Sequence, residues 1–277
     1  MDLELKEYSR SFSPIRLPKI RKINGKTYRA IKRELRKHKD KCTIFDWVIL
    51  EDIISKGNFS ETAKVCLTEK CKDKFIIKLT KLTKENQKVV NNEITALKTL
   101  KNSQYIVNMY DNFECINDGK RTSVIIQELL GEDIHEIIKK NKNLPDSFYI
   151  SVFKQTIRCI DILEKRRINH NDIHFGNLLM TLDSTLKNVK IKLIDFGGAT
   201  GDKRYKLRGG VKTINRRKSK NGFVKGLDIH LFCSFIIRYD DMSNTHIIPD
   251  DLYELCSVIL ERKEYISASK LLKILES

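Results

Sequence analysis

Five strand-like segments and a single helical one divide residues 44–130, and this pattern constrains the fold more than any other feature. The segments before the helix are FDWVILEDIISK, TAKVCLTEK and KFIIKLTK, and those after it are QYIVNMYDNFECI and RTSVIIQELL. Short runs rich in β-branched and aromatic residues are typical of strands. Residues 85–101 place Val89, Ile94 and Leu97 near the 3.6-residue spacing of a helix. A small sheet with one helix is therefore predicted.

The rest of the chain is mainly helical. A long amphipathic helix is predicted over 146–167, with Pro145 and Asp146 as its start signal. A short strand pair, LLMTL and VKIKLIDF, follows, and then two or three further helices. The predicted fold class is α+β, with a small β-sheet unit before a mainly helical one.

The composition is that of a globular chain. Hydrophobic residues make up 40% of the 277, and there are only 12 Gly and 4 Pro. These values exclude a disordered or collagen-like chain. The longest apolar run, Leu231 to Ile237, is far shorter than the roughly 20 residues of a membrane span. The opening MDLELKEYSR has no apolar core, so no secretory signal is expected.

Two short segments carry the whole positive charge excess. The chain has 53 Lys and Arg against 36 Asp and Glu, a net charge of +17. Residues 1–43 and residues 201–226 each hold a net charge of +9. A solvated charge run is one interpretation. The functional interpretation is that each segment meets an anion: nucleic acid, a membrane surface, or an acidic or phosphorylated protein.

The seven cysteines follow no pattern of a metal site. They are scattered, odd in number and free of any CxxC pair, so no zinc site is predicted. Cys66 and Cys71 could face each other across a hairpin. The preferred interpretation is that all seven are reduced thiols in an intracellular, cytoplasmic or nuclear, protein.

Four fragments carry groups suited to phosphate chemistry. Lys78 closes the apolar strand FIIK, and Glu93 lies in the helix after it, with Glu85 as a rival. The polar run HNDIHFGN spans 170–177, and Asp195-Phe196-Gly197 ends a later apolar strand. Phosphoryl transfer needs in-line positioning and cancellation of charge on the phosphate oxygens. A cation, carboxylates and a carboxamide, in the order in which these fragments occur, can supply both the positioning and the charge cancellation.

Together, these fragments resemble the eukaryotic-type protein kinase superfamily, from Ile44 to the C-terminus. The resemblance implies a two-lobed protein-kinase-like fold in residues 44–277, with a trimmed C-terminal lobe. Residues 1–43 are then a basic N-terminal extension. The boundaries implied are an N-terminal lobe over about 44–127, a hinge over about 128–131 and a C-terminal lobe over about 132–277.

The resemblance also implies the roles of the catalytic residues. Lys78, held by Glu93, would reach the first two phosphates of ATP, and Asp172 would orient the acceptor hydroxyl. Asn177 and Asp195 would bind Mg²⁺ or Mn²⁺, hard ions that prefer oxygen ligands. His174 stands where serine/threonine kinases carry a lysine and is assigned to the catalytic set.

The nucleotide-binding residues are implied by the same resemblance. Of the family's three loop glycines, only Gly57 remains, and Gln127 would stand at the back of the adenine pocket. Backbone amides approach phosphate most easily at glycine, so the loss of the other two glycines is expected to weaken ATP binding, although the serine hydroxyls of this loop can also donate to phosphate. The residues assigned to ATP binding are Gly57, Phe59, Ser60, Thr62, Ile76, Lys78, Glu128, Leu130 and Leu179.

Several residues depart from the usual pattern of the family, and they indicate which of its branches the chain resembles. Asn171 replaces the arginine that usually receives an activation-loop phosphate, and the APE motif is missing. HNDIHFGN is most similar to haspin-type kinases and also resembles aminoglycoside and choline phosphotransferases. ELLGEDI resembles casein-kinase-type enzymes. The composition of the chain and its trimmed C-terminal lobe are similar to those of the kinases of large DNA viruses.

Three functional hypotheses remain open. The first is an ATP-dependent serine/threonine protein kinase acting on acidic or already phosphorylated proteins, with nucleic acid a potential partner of residues 1–43. The second is a pseudokinase or scaffold that binds an anionic partner. The third is a small-molecule phosphotransferase. The cationic segment 201–226 argues against the third, and the oligomeric state is not predicted.

Overall fold

A computed structural model describes most of the chain outside its N-terminus. The described residues are 49–56, 60–66, 74–117, 119–201, 222–243, 246–262 and 264–276. They form two compact units: unit 1 holds described residues within 49–87 and 108–129, and unit 2 those within 88–107 and 130–276. The predictions for residues 1–43, for Gly57 and Phe59, and for most of the basic segment 201–226 lie outside the described residues.

Unit 1 is built around one antiparallel sheet with the strand order β1–β2–β3–β5–β4. The strands are β1 (Ile49–Lys56), β2 (Ser60–Cys66), β3 (Lys74–Lys81), β4 (Met109–Asn117) and β5 (Lys120–Glu128). Each neighbouring pair is antiparallel, including β3 and β5, which are separated in the chain by the helical segment. The five predicted strands are confirmed.

The two faces of this sheet differ in chemistry. One face carries the apolar core of unit 1, which includes Ala63, Ile77, Leu79, Val124 and Ile126. Because side chains alternate along a strand, the residues in the intervening positions of β2, β3 and β5 point to the opposite face.

Unit 2 contains the helices and four short strands. The helices are α1 (Gln87–Thr99, which begins at the end of unit 1), α2 (Ile134–Lys140), α3 (Asp146–Lys165), α4 (Leu227–Asp241), α5 (Asp250–Glu261) and α6 (Ala268–Glu276). The strands are β6 (Ile168–Asn169), β7 (Leu178–Met180), β8 (Ile191–Leu193) and β9 (Thr200–Gly201). β6 pairs with β9, and β7 pairs with β8.

The predicted helices are confirmed, and one was missed. α3 begins at Asp146 as predicted, directly after its cap Pro145, and buries one apolar face. α2 was not predicted. It is only seven residues long, so it shows little periodicity. Its start is stabilised by Asp133, whose carboxylate accepts a hydrogen bond from Glu136 N at 2.9 Å.

The helix α1 groups with unit 2 rather than with the sheet, although the sequence pattern places it with the sheet. Hydrogen bonds explain this grouping. Leu193 N donates to Tyr105 O at 3.0 Å, and Val107 N donates to Leu193 O at 3.1 Å. The segment that follows α1 is thereby joined to β8.

The expectation that all cysteines are reduced is wrong for two of them. Cys66 and Cys115 each take part in a disulfide bond, whereas Cys159, Cys233 and Cys256 are free and buried. The two are not bonded to each other, because the strand register places Cys66 opposite Lys74, at the start of β3, and Cys115 at the level of Lys81, at its end. Burial raises the pKa of the Cys159 thiol to about 12, so this thiol stays protonated. Sequence spacing does not reveal which cysteines the folded chain brings together, and this is why the pattern failed. Across the described ranges, no helix is long and apolar enough to cross a membrane.

Glu164, near the end of α3, ties two other helices to it. Its carboxylate oxygens accept hydrogen bonds from Gly226 N at 2.8 Å and from Ala268 N at 3.0 Å, at the first turns of α4 and α6. Burial raises the pKa of this carboxyl, and the two N–H bonds act against that rise. The carboxylate therefore caps the N-terminal ends of two helices.

Replacing Glu164 with alanine is expected to lower the free energy of unfolding by about 2 to 4 kcal/mol, because it leaves two N–H groups unbonded. Urea denaturation followed by circular dichroism measures the change. The control is Glu254→Ala, at an exposed position of α5, which should cost much less. Equal midpoints for the two variants would contradict this role of Glu164.

Candidate active site

The sheet of unit 1 carries several of the predicted nucleotide-binding residues on the face opposite its core. Thr62 lies directly opposite Lys78 in the β2–β3 register, and Ile76 lies opposite Gln127 in the β3–β5 register. Ile76 and Gln127 are each 8% exposed, and Lys78 is half-buried. Ser60 is the first residue of β2. The structure thus brings Thr62, Ile76 and Lys78 onto one surface.

An ion pair closes the hairpin that leads into this surface. Lys56 ends β1 and lies opposite Glu61 of β2. Lys56 Nζ is 3.6 Å from Glu61 Oε1, and the Glu61 side chain is only 2% exposed. This ion pair was not predicted from the sequence. The available signal was the opposite charge of two residues that a hairpin at Gly57 would place across from each other.

Glu128, assigned to the hinge, is held by the backbone that leads into β4. Its Oε1 accepts a hydrogen bond from Asn108 N at 2.7 Å, and its own N–H donates to Asn108 O at 3.0 Å. Its carboxylate is therefore engaged with the protein. This leaves the main chain as the part of Glu128 suited to contact a ligand.

Leu130 and Leu179 lie in unit 2 and are brought near each other by main-chain pairing. Gly131 N donates to Met180 O at 2.7 Å, and Asp133 forms a β-bridge with Leu179. Leu130 is 8% exposed, and Leu179 is half-buried in β7. These two assigned residues therefore lie on adjoining segments.

The two candidate helix acids differ in environment. Glu93 lies inside α1 and is 3% exposed, whereas Glu85 is exposed in the turn before the helix. A carboxylate is almost never buried to this extent unless it is paired. The burial of Glu93 is therefore typical of a carboxylate with a specific partner, whereas the exposure of Glu85 is typical of a carboxylate that is solvated by water.

Asp172, Asn177 and Asp195 are brought together by hydrogen bonds within unit 2. Asn177 Nδ2 donates to Asp172 O at 2.9 Å, and Ile194 N, just before Asp195, donates to Asn177 O at 3.0 Å. The Asp172 side chain is 48% exposed, so it can meet a reactant. Two sequence fragments 18 residues apart thus form one polar cluster.

Asp195 has a backbone conformation that few residues adopt. Its φ of 61° and ψ of 75° lie in the left-handed region, and its side chain caps the turn Phe196–Gly198. Non-glycine residues in such regions cluster at active sites, where the surrounding structure holds them in place. The Asp195 side chain is exposed.

His174 has one ring nitrogen committed to the backbone. Its Nδ1 accepts a hydrogen bond from Gly176 N at 3.1 Å, which places the proton of a neutral ring on Nε2. That Nε2 lies 4.0 Å from Asp172 Oδ2. A Cβ atom at position 176 would lie 3.1 Å from His174 Cε1, so glycine leaves room for the ring. His174 therefore lies beside Asp172.

Asp228, in the first turn of α4, supports the loop that carries Asp172, and the sequence analysis gave it no role. Its carboxylate accepts hydrogen bonds from His170 N and Asn171 N, both at 2.8 Å. The residue is 1% exposed. Burial raises the pKa of this carboxyl, and the backbone N–H bonds oppose the rise. A carboxylate at the start of an apolar helix was the signal that could have found it.

The loop before Asp172 also contacts the turn after Asp195. His170 Nε2 donates to Ile194 O at 2.9 Å, and its ring packs edge-on against Phe196 with centroids 4.7 Å apart. These contacts fix the two polar segments relative to each other. The arrangement can present a carboxylate to a hydroxyl group and oxygen ligands to a cation.

Comparison with known proteins identifies the family. The protein kinase domain model matches residues 49–214, more than half of the chain. The chain belongs to the protein kinase family. The predicted family and the α+β fold class are confirmed, and ATP with Mg²⁺ is typical of this family.

Curated relatives agree with this kinase assignment. The chain is 31% identical over 108 residues to a Caenorhabditis elegans protein named "Probable serine/threonine-protein kinase zyg-1", which covers 39% of the chain and 15% of that protein. It is 32% identical over 126 residues to the serine/threonine-protein kinase TIO of Arabidopsis thaliana, covering 46% of the chain and 9% of TIO. It is 26% identical over 170 residues to the serine/threonine-protein kinase ULK3 of Rattus norvegicus, covering 59% and 35%. The chain therefore matches 35% or less of the length of these relatives.

Proposed function

We propose that this chain is an ATP-dependent serine/threonine protein kinase. The observation that carries the proposal is the polar cluster of Asp172, Asn177 and Asp195, held by main-chain and amide hydrogen bonds in a chain of the protein kinase family. An exposed carboxylate next to two oxygen donors suits a reaction in which a hydroxyl attacks a phosphate.

The proposed catalytic roles follow from side-chain chemistry. Asp172 orients the acceptor hydroxyl and accepts its proton, and His174 directs Nε2–H toward the same region. Lys78 contacts the phosphates of ATP. Glu93 is the acid that we propose as the partner of Lys78, because it is buried whereas Glu85 is exposed.

Asn177 and Asp195 fit a magnesium ion in the chemistry of their donor atoms. Asn177 Nδ2 is used by Asp172 O, so its Oδ1 is the atom left to act as a ligand, and the exposed Asp195 carboxylate supplies charged oxygens. Mg²⁺ prefers such oxygen ligands. When bound, it would neutralise charge on the phosphate oxygens.

The remaining assigned residues are proposed to hold the nucleotide. The side chains of Ile76, Leu130 and Leu179 and the methyl group of Thr62 would contact the adenine, and the main chain of Glu128 would bond to its polar edge. Gly57, Phe59 and Ser60 would cover the phosphates. The Nε2 of Gln127 is buried without a hydrogen-bond partner among the described residues, so a ligand acceptor there would satisfy it.

We further propose that the acceptor protein is acidic or already phosphorylated. The segment 201–226 carries ten cations and one acid, and so many like charges repel one another unless anions neutralise them. For residues 1–43, a basic extension in the proposed domain division, nucleic acid is the proposed partner. Residues 44–277 would then form the kinase domain.

The substrate proposal is tested with radiolabelled ATP, Mg²⁺ and matched acidic and Arg-rich peptides. The protein is expected to prefer the acidic peptide. Replacing Arg216, Arg217 and Lys218 with alanine should raise KM for that peptide about tenfold, because it removes three attractive charges. The control replaces three exposed lysines elsewhere and removes the same charge. These are Lys142, Lys187 and Lys270.

Each alternative has its own outcome in this assay. A preference for Arg-rich peptides would contradict the acidic-substrate proposal while leaving kinase activity intact. No transfer to any peptide, with ATP still bound, would favour the pseudokinase. Transfer to aminoglycosides or choline alone would favour the small-molecule phosphotransferase. Deleting residues 1–43 should leave peptide kinetics unchanged and weaken salt-sensitive binding of nucleic acid.

A further inference from the structure

Two buried asparagines grip the four residues that follow Asp195 and Phe196. Asn92 Nδ2, in α1, donates to Gly197 O and to Ala199 O, each at 3.3 Å. Asn171 Nδ2 donates to Gly198 O and to Thr200 Oγ1, each at 3.0 Å. The two amides therefore take alternate residues of the segment 197–200.

Each asparagine directly precedes a residue with a proposed catalytic role. Asn92 precedes Glu93, and Asn171 precedes Asp172. Asn92 is 3% exposed and Asn171 is 6% exposed. The segment 197–200 is consequently bonded both to the helix of the proposed lysine partner and to the loop of the proposed base.

The backbone of Asn171 is fixed as firmly as its side chain. Its φ is 68°, in the left-handed region that asparagine tolerates better than most residues. Its N–H donates to Asp228 Oδ1 at 2.8 Å. An amide held this way has little freedom to leave the carbonyl group that it binds.

Tight packing adds to these hydrogen bonds. A Cβ atom at Gly197 would lie 2.7 Å from Val89 Cγ1 of α1, so α1 lies directly against the turn. At the other end of the segment, Thr200 pairs with Asn169 in the β6–β9 ladder. The segment 197–200, which follows the Asp195 turn, is thus held at both of its ends.

We propose that Asn92 and Asn171 are positioning residues, an asparagine clamp that holds Asp195 in its metal-binding conformation without a phosphate. This inference rests on the proposed kinase function. The clamp uses neutral amides as donors, and its acceptors are three backbone carbonyl groups and the Thr200 hydroxyl, so none of its bonds needs a charged phosphate. It also explains how the chain can dispense with an arginine at position 171, since the amide reaches the segment directly.

The clamp is tested with variants that remove one amide at a time. Asn92→Ala suits a helix, and Asn171→Gly keeps the left-handed backbone accessible, so neither adds backbone strain. Each is expected to lower kcat about tenfold, which corresponds to about 1.4 kcal/mol. Each should also raise the Mg²⁺ concentration needed for half-maximal activity and leave KM for ATP at saturating Mg²⁺ nearly unchanged. Asn141→Ala is the control, since it removes a partly buried hydrogen bond of 2.8 Å, from Asn141 Nδ2 to Ile137 O, that lies away from the segment 197–200.

Asn92→Asp separates a clamp from a space-filling role. It keeps the side-chain size but replaces the donor with oxygens that face two carbonyl groups. It should be at least as impaired as Asn92→Ala, and wild-type behaviour would overturn the clamp. The double variant should be less impaired than the product of the two single effects, because both amides act on the same segment.

Hydrogen exchange makes the test independent of catalysis. Amides of residues 195–201 should exchange faster in both single variants and remain protected in Asn141→Ala. If the wild-type protein transfers no phosphate, the proposed function fails, but these exchange rates still decide on the clamp. Unchanged exchange in folded variants would overturn it, and so would a large loss of wild-type activity after phosphatase treatment. If Asn171→Gly does not fold, the Asn92 variants decide.

Discussion

Asp195→Asn is expected to lower phosphotransfer by about three orders of magnitude or more, since it removes the charged oxygen ligand at the centre of the proposed metal site. Asparagine keeps the size of the side chain and tolerates the left-handed backbone found at this position. Its Oδ1 can also still accept the 3.4 Å hydrogen bond from Gly197 N. Steady-state kinetics with a radiolabelled phosphate donor measures the loss.

The expected fold of this variant is unchanged, which separates a lost ligand from a lost structure. Its Tm should lie close to that of the wild type, because the Asp195 side chain is exposed. The control is Asp251→Asn, the same substitution at an exposed position of α5, which should retain full activity. Near-wild-type turnover in Asp195→Asn would show that this carboxylate holds no essential metal.

The parts of the fold that the sequence predicts are those with a long repeat or a strong boundary signal. β3 was predicted over Lys74–Lys81 and occupies those residues. The start of α3 was predicted from Pro145 and Asp146. Proline has no backbone N–H to bond to a preceding turn, so it is tolerated at the start of a helix and not in its interior. Over eight or more residues, the spacing of the apolar residues is long enough to distinguish a strand from a helix. The strands β6 and β9 have two residues each and carry no such period.

The parts of the site that escaped prediction depend on contacts between distant residues. Asn92 meets the segment 197–200 across more than 100 positions of the chain, and nothing in its neighbourhood announces this contact. Asp228 likewise reaches Asn171 across 57 positions. The family motifs located Asp172 and Asp195, but the groups that hold them are recognised only once the chain has folded.

Asp172→Ala is expected to lower kcat by about two to four orders of magnitude, the usual contribution of a positioned general base. KM for ATP should change little, because Asp172 is assigned to the acceptor hydroxyl rather than to the nucleotide. Stability should also change little, since the side chain is 48% exposed. Steady-state kinetics in both substrates, with nucleotide binding measured separately, gives the three quantities.

The pattern of changes decides the role of Asp172 more sharply than the size of the loss. A fall in kcat with unchanged ATP binding supports the assigned role, and Asp172→Asn should share it because an amide cannot accept the proton. A rise in KM for ATP with kcat intact would mean that Asp172 binds the nucleotide instead. Asp251→Ala is the matched control at an exposed site. If the parent protein is as inactive as Asp172→Ala while still binding ATP, the carboxylate has no catalytic task and the pseudokinase hypothesis gains the support that the kinase hypothesis loses.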